Sequence, residues 1–274
     1  MTGDVAMHGF RPKRGPRLHV DDAGGSGMAV VFQHGLCGDA RQTAEVFPAN
    51  SALRRITLEC RGHGGSEPGD MAEFSIARFA EDVGELIALN VKAPVVIGGI
   101  SMGAALAMRL AVVMPDFVRG LVIARPAWSS AAAPENMRAN ADVGALLGRM
   151  TQGEAHAQFM AGAMAKRLAG EAPDNLASLA GFFWREPQVV TAALLQSISA
   201  DGPGVTAEEL SAITVPTLVI ATRMDAVHPL SLAQEIAKLI PGAMLVEITA
   251  KSQDRGLYVA EFKNVLDTFL KGFL

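Results

Sequence analysis

The sequence predicts an α/β fold: a mostly parallel central sheet with helices on both faces and an inserted helical cap. Three observations carry this. Apolar runs of strand length alternate with helical spacing up to residue 124 and again from 213, the pattern of a parallel sheet covered on both sides. The run Val95-Val96-Ile97-Gly98 enters Gly99-Ile100-Ser101-Met102-Gly103 and leaves as an Ala- and Met-rich helical segment, so strand, sharp turn and helix meet at one serine. Residues 125–212 break the alternation, with helical spacing and no convincing strand. The domains expected are a core of 1–124 and 213–274 and a cap of 125–212.

Each element has a local reason. Residues up to about Arg17 read as a polar arm, and Leu18 to Asp21 as a weak strand before the Gly24-Gly25-Ser26-Gly27 turn. Met28 to Phe32 is continuously apolar, as a strand buried on both faces must be. A short helix is expected from Arg41 to Phe47, closed by Pro48, and a strand from Leu53 to Glu59. Ile76, Phe79, Val83, Leu86 and Ile87 give Ser75–Leu89 one apolar helical face. After the Ser101 turn, a helix over Met102–Met114 stops at Pro115, and Val118–Ala124 is a strand. Beyond the cap, Pro216–Ala221 resumes the sheet. Ser231–Ile240 is a helix, Ala243–Ile248 the last strand and Tyr258–Leu270 the last helix.

Composition narrows the function. The chain has 274 residues, half of them hydrophobic, and a net charge of −4, which gives no reason to invoke nucleic acid or an anionic membrane. No apolar run approaches the ~20 residues of a membrane span. The N-terminal Arg11, Lys13, Arg14 and Arg17 precede no apolar stretch of the secretory kind. Two cysteines, Cys37 and Cys60, make no disulfide framework. A cytoplasmic monomer or homodimer acting on a small molecule is the expectation. The glycines of the turns fail the order and context of dinucleotide and P-loop motifs. No histidine pair has metal-site spacing, so neither metal nor cofactor is expected.

The G-x-S-x-G between a buried strand and a helix is the arrangement that lifts a serine hydroxyl clear of a sheet edge; a plain turn with Ser101 as a helix cap is the bland alternative. With His34-Gly35 after one strand, Arg61-Gly62-His63-Gly64-x-Ser66 after the next, and Asp225 in the Thr222–Pro229 loop, the sequence resembles the α/β-hydrolase superfamily over nearly the whole core. The resemblance implies a hydrolase of a carboxylic ester, lactone or amide. It implies that Ser101 is the nucleophile, that the backbone N–H groups of Leu36 and Met102 form the oxyanion hole, and that Asp225 orients a base. A serine rather than an aspartate in the elbow disfavours haloalkane dehalogenase and epoxide hydrolase chemistry.

The pattern breaks at the base. The family's histidine follows the last core strand, where this chain reads Thr249-Ala250-Lys251-Ser252-Gln253-Asp254. No histidine occurs after His228. Gln253 aligns with the missing base, and an amide has no useful basicity. Three readings stay open: a His-to-Gln replacement made to trap substrate, a natural chain that binds or turns over slowly, or another histidine in the role. The first two are favoured. A non-catalytic small-ligand binder on a hydrolase scaffold is the alternative function. His228, three residues from Asp225, is the histidine that could point toward the site mouth; His34 and His63 are read as shaping their turns. Cys37 has no flanking charge to activate it. Arg125, at the end of the strand before the cap, is a candidate partner for a substrate carboxylate, and Trp128 a candidate pocket wall.

Overall fold

A computed structural model of the chain describes residues 8–91 and 93–274. Its sheet has eight strands: β1 (His8–Phe10), β2 (Leu18–Asp22), β3 (Met28–Gln33), β4 (Leu53–Leu58), β5 (Val95–Ile100), β6 (Val118–Ala124), β7 (Thr217–Thr222) and β8 (Met244–Ile248). Their order is β1-β2-β4-β3-β5-β6-β7-β8. The first two pairings are antiparallel and the rest parallel. The core helices are α1 (Ala40–Val46), α2 (Ile76–Asn90) and α3 (Met102–Val113). Between β6 and β7 come α4 (Arg138–Leu147), α5 (Gln152–Ala161), α6 (Ala163–Glu171), α7 (Pro173–Phe182), α8 (Gln188–Ser199) and α9 (Ala207–Ser211). The chain ends with α10 (Leu230–Leu239) and α11 (Arg255–Lys271).

Side-chain alternation along the parallel strands separates two apolar layers. Val96 and Ile100 of β5 join Phe32, Val122 and Ile220 under α11, whose Tyr258, Phe262, Leu266 and Leu270 recur at four-residue spacing. Val95 and Ile97 point the other way, into the cluster with Phe79, Val83 and Leu106. Phe262 is fully buried between its neighbours; removing its ring costs about 3–5 kcal/mol. Ser75 caps α2 by accepting from the Arg78 N–H at 3.1 Å, which fixes where that helix starts.

The N-terminal arm departs from the sequence expectation. His8–Phe10 is a strand, paired antiparallel with β2 and burying Phe10; residues 1–7 lie outside the described residues. The β6–β7 insertion carries helices and, among the described residues, no strand. Polar contacts tie it together and fasten it to the core. Trp128 Nε1 donates to the Asp201 carbonyl at 2.9 Å, the Asp201 carboxylate accepts the Ile76 N–H at 2.7 Å, and Arg185 donates to the Gly62 carbonyl.

Candidate active site

Ser101 closes β5 and opens α3 with φ 57° and ψ −112°. A residue with a Cβ in this region stores about 1–3 kcal/mol of strain. The surroundings enforce it: the Ser101 N–H donates to the Ala124 carbonyl at 3.0 Å, and its carbonyl accepts from Ala104 and Ala105. A Cβ on Gly99 would stand 2.5 Å from the Gly103 carbonyl carbon, and one on Gly103 only 2.3 Å from the Gln33 carbonyl oxygen. The turn is therefore this tight only because both flanking residues are glycine. The Ser101 side chain makes no helix-capping hydrogen bond, so its hydroxyl is not spent on the helix as the plain-turn reading requires.

The loop after β3 is held on both sides of Leu36. Gly35 N–H donates to Gln42 Oε1 at 2.7 Å, and Cys37 N–H donates to His63 Nε2 at 3.0 Å. His34 Nε2 accepts from the Cys60 N–H at 3.0 Å, while Nδ1 of each ring bonds a backbone carbonyl at 2.9 Å. Backbone N–H groups facing Nε2 fix both rings as neutral Nδ1–H tautomers. Burial holds both rings below the ordinary imidazole pKa. The Cys37 thiol is pushed up to about 12 by burial, which leaves it a packing group rather than a nucleophile.

Asp225 follows β7, and its side chain is 3% exposed. One carboxylate oxygen takes Arg125 Nε at 2.8 Å. The other takes Asn175 Nδ2 at 3.0 Å, the His228 N–H at 2.9 Å and His228 Nδ1 at 2.9 Å. Burial alone would raise the carboxyl's pKa. Arg125, then His228 and Asn175, more than offset it and hold Asp225 well below the usual carboxylate range.

Ser101, Leu36, Arg125, Asn140, His228 and Lys251 meet on one cavity of about 100 Å³. Met102, buried completely, sits directly behind Ser101 at the start of α3. Two buried polar atoms on the wall have no hydrogen-bond partner: His228 Nε2 and Asn140 Oδ1. Lys251 Nζ lies 3.6 Å from Asp174, which also lies 3.8 Å from Arg125. Two cations thus face two carboxylates. Among the described residues no group of three or more His, Cys, Asp or Glu side chains could hold a metal ion, and no helix is long and apolar enough to cross a membrane.

Three sequence-predicted residues are placed differently from expectation. Gln253 is exposed. Its Oε1 bonds the Ala250 N–H at 3.4 Å, on a separate surface cavity with Arg223, Glu247 and Thr249. The residue of that loop turned to the Ser101 cavity is Lys251. Trp128 is fully buried with its N–H satisfied, away from the cavity. Arg125 does line the cavity, but its guanidinium is committed to Asp225 at 2.7 Å and so is not free for a substrate carboxylate. The sequence reading missed Asn175, Asn140 and Lys251. The first two lie on insertion helices whose rotation about their axes no motif fixes.

A model of the family described as alpha/beta hydrolase fold matches residues 28–251. The chain belongs to this family. Solved alpha/beta hydrolase-like structures superpose over almost the full length. A hydrolase from Pseudomonas aeruginosa shares 21% identity with a TM-score of 0.74, covering 98% of this chain and 99% of that one. An N-acyl homoserine lactone degrading enzyme shares 24% identity with a TM-score of 0.71, covering 97% and 100%. The enol-lactonase from Burkholderia xenovorans shares 25% identity with a TM-score of 0.68, covering 93% and 97%. This alpha/beta hydrolase resembles them in fold, which by itself fixes no substrate.

Proposed function

We propose that the protein is a serine hydrolase acting on a carboxylic ester, lactone or amide of a small, partly apolar molecule. The observation that carries the reading is the strained Ser101 turn, with its hydroxyl uncommitted to the helix and its residue on the cavity wall beside Leu36. Ser101 Oγ attacks the acyl carbon. The carbonyl oxygen gathers negative charge, which the Leu36 and Met102 N–H groups stabilise; Met102 adds the field of a helix N-terminus. The cavity's modest volume favours a compact acyl group. The lactonases among similar folds make a lactone a natural first class to screen. The helical insertion serves as the cap that closes over substrate, since Asn140 of α4 reaches the cavity wall.

A binding role without turnover is the second reading, favoured by the loop after β8, which holds no histidine. One experiment separates them. Wild type and Ser101→Ala are incubated with a fluorophosphonate and with short p-nitrophenyl esters and small lactones. Labelling and turnover in wild type, both lost in Ser101→Ala, support the hydrolase. Ligand-induced stabilisation with no labelling in either protein supports the binder.

A further inference from the structure

We propose that the general base of this site is His228, supplied by the same loop as the acid Asp225. This rests on the hydrolase reading and adds to it the residue that completes the site. The usual location is empty of candidates, because the loop after β8 offers Lys251, tied to Asp174, and an exposed Gln253. His34 and His63 have both ring nitrogens bonded to backbone. His228 differs. Its Nδ1 meets both oxygens of the Asp225 carboxylate at 2.9 and 3.0 Å, closer than Arg125 Nη2 at 3.3 Å; the carboxylate favours the proton on Nδ1 and a lone pair on Nε2. That Nε2 is buried, has no partner, and belongs to a ring on the Ser101 cavity wall.

The chemistry balances without an outside reagent. As Ser101 Oγ bonds the acyl carbon, its proton passes to His228 Nε2, directly once substrate closes the site or through one water. The C–O or C–N bond to the leaving group breaks, and that group takes the proton from Nε2. A water then gives a proton to Nε2 while its oxygen bonds the acyl carbon. The bond to Oγ breaks, and Oγ recovers the proton. Asp225 stays ionised throughout, held so by Arg125 and Asn175.

The groups facing the ring are Asp225 on its own loop, Arg125 after β6 and Asp174 on α7. Lys251 lies beyond Asp174, and Tyr258 of α11 lies under Arg125. Burial lowers the His228 pKa, Asp225 raises it and Arg125 lowers it again, for a net value below that of a free imidazole. The ring is therefore neutral and able to accept a proton at pH 7.

The test measures fluorophosphonate labelling rates from pH 4.5 to 8.5 for wild type, Ser101→Ala, His228→Gln, His228→Ala and Gln253→Ala. His228→Gln is expected to slow labelling by about 100-fold or more and to remove an acid inflection that wild type shows below pH 6.5. Added imidazole partly restores His228→Ala, and Gln253→Ala stays within about twofold of wild type. Labelling of His228→Gln within threefold of wild type overturns the proposal. If His228→Gln does not fold, His228→Asn is read in its place: labelling within threefold of wild type overturns the proposal. A wild type that labels no faster than Ser101→Ala overturns the hydrolase reading itself, a different result from loss at His228 alone.

Discussion

His34 and His63, packed against the Leu36 loop, and His228 on the cavity wall are all buried imidazoles with lowered pKa values, yet they are wired differently. The first two bond backbone through both nitrogens and lie with ring centroids 4.8 Å apart, tilted by 43°; they hold the Leu36 loop in shape. His228 bonds through one nitrogen and leaves the other bare at the cavity. The difference teaches that partner count, not burial or pKa, separates a scaffolding histidine from one with chemistry left to do.

The contrast can be broken or sharpened by substitution. The largest effect expected is on turnover: His228→Gln lowers ester hydrolysis by ~100–10,000-fold while costing stability no more than one hydrogen bond to a charged group, ~1.5–3 kcal/mol, by urea denaturation. If instead stability collapses and the residual folded fraction is fully active, His228 belongs with the other two. His63→Ala strands the Cys37 N–H and is expected to cost about 1–3 kcal/mol, read in the same titrations. Acid acts on all three rings alike. Each has a folded-state pKa below its unfolded value of ~6.5, so the unfolded chain binds more protons between the two. Stability is thus full above pH ~6.5 and falls below it, by up to ~1.4 kcal/mol per pH unit per ring. A chain equally stable at pH 7 and 5 would contradict buried neutral histidines. Asn175→Ala removes one donor to Asp225 and is expected to slow hydrolysis by about tenfold, a hydrogen bond's worth at a charged group. The smallest change is at Gln253→Ala, within about 0.5 kcal/mol and twofold in rate.

Much of the fold was legible because both-face burial writes itself as continuous apolar runs: Val118–Ala124 is the strand that its residues predicted. β1 was not, because three residues beside arginines and lysine carry no periodicity; only pairing with β2 makes them a strand. The sharp turn at Ser101 was readable from its glycines, and the place of Asp225 just after a buried strand from the apolar run before it. The position of the missing base aligned with Gln253, an amide without basicity, because chain order names a loop but not which of its side chains turns inward; there Lys251 does. Asp225-x-x-His228 is a spacing the sequence shows, and it marks His228 as the histidine able to face the site mouth. A carboxylate accepting the N–H three residues on makes a tight turn, and that turn folds the imidazole back onto the same carboxylate. Trp128 looked like pocket wall on apolarity alone, whereas its indole N–H found a backbone carbonyl inside the core.

Asn175 joins the two halves of the molecule in a way that bears on how substrate enters. From α7 its amide nitrogen holds the Asp225 carboxylate, and its amide oxygen accepts the Ala226 and Val227 N–H groups at 2.6 and 3.2 Å. An outward swing of α7 would strip these three contacts from the Asp225–His228 turn. On the proposed mechanism, the insertion would then have to be seated before His228 could take a proton, which ties substrate entry to assembly of the site.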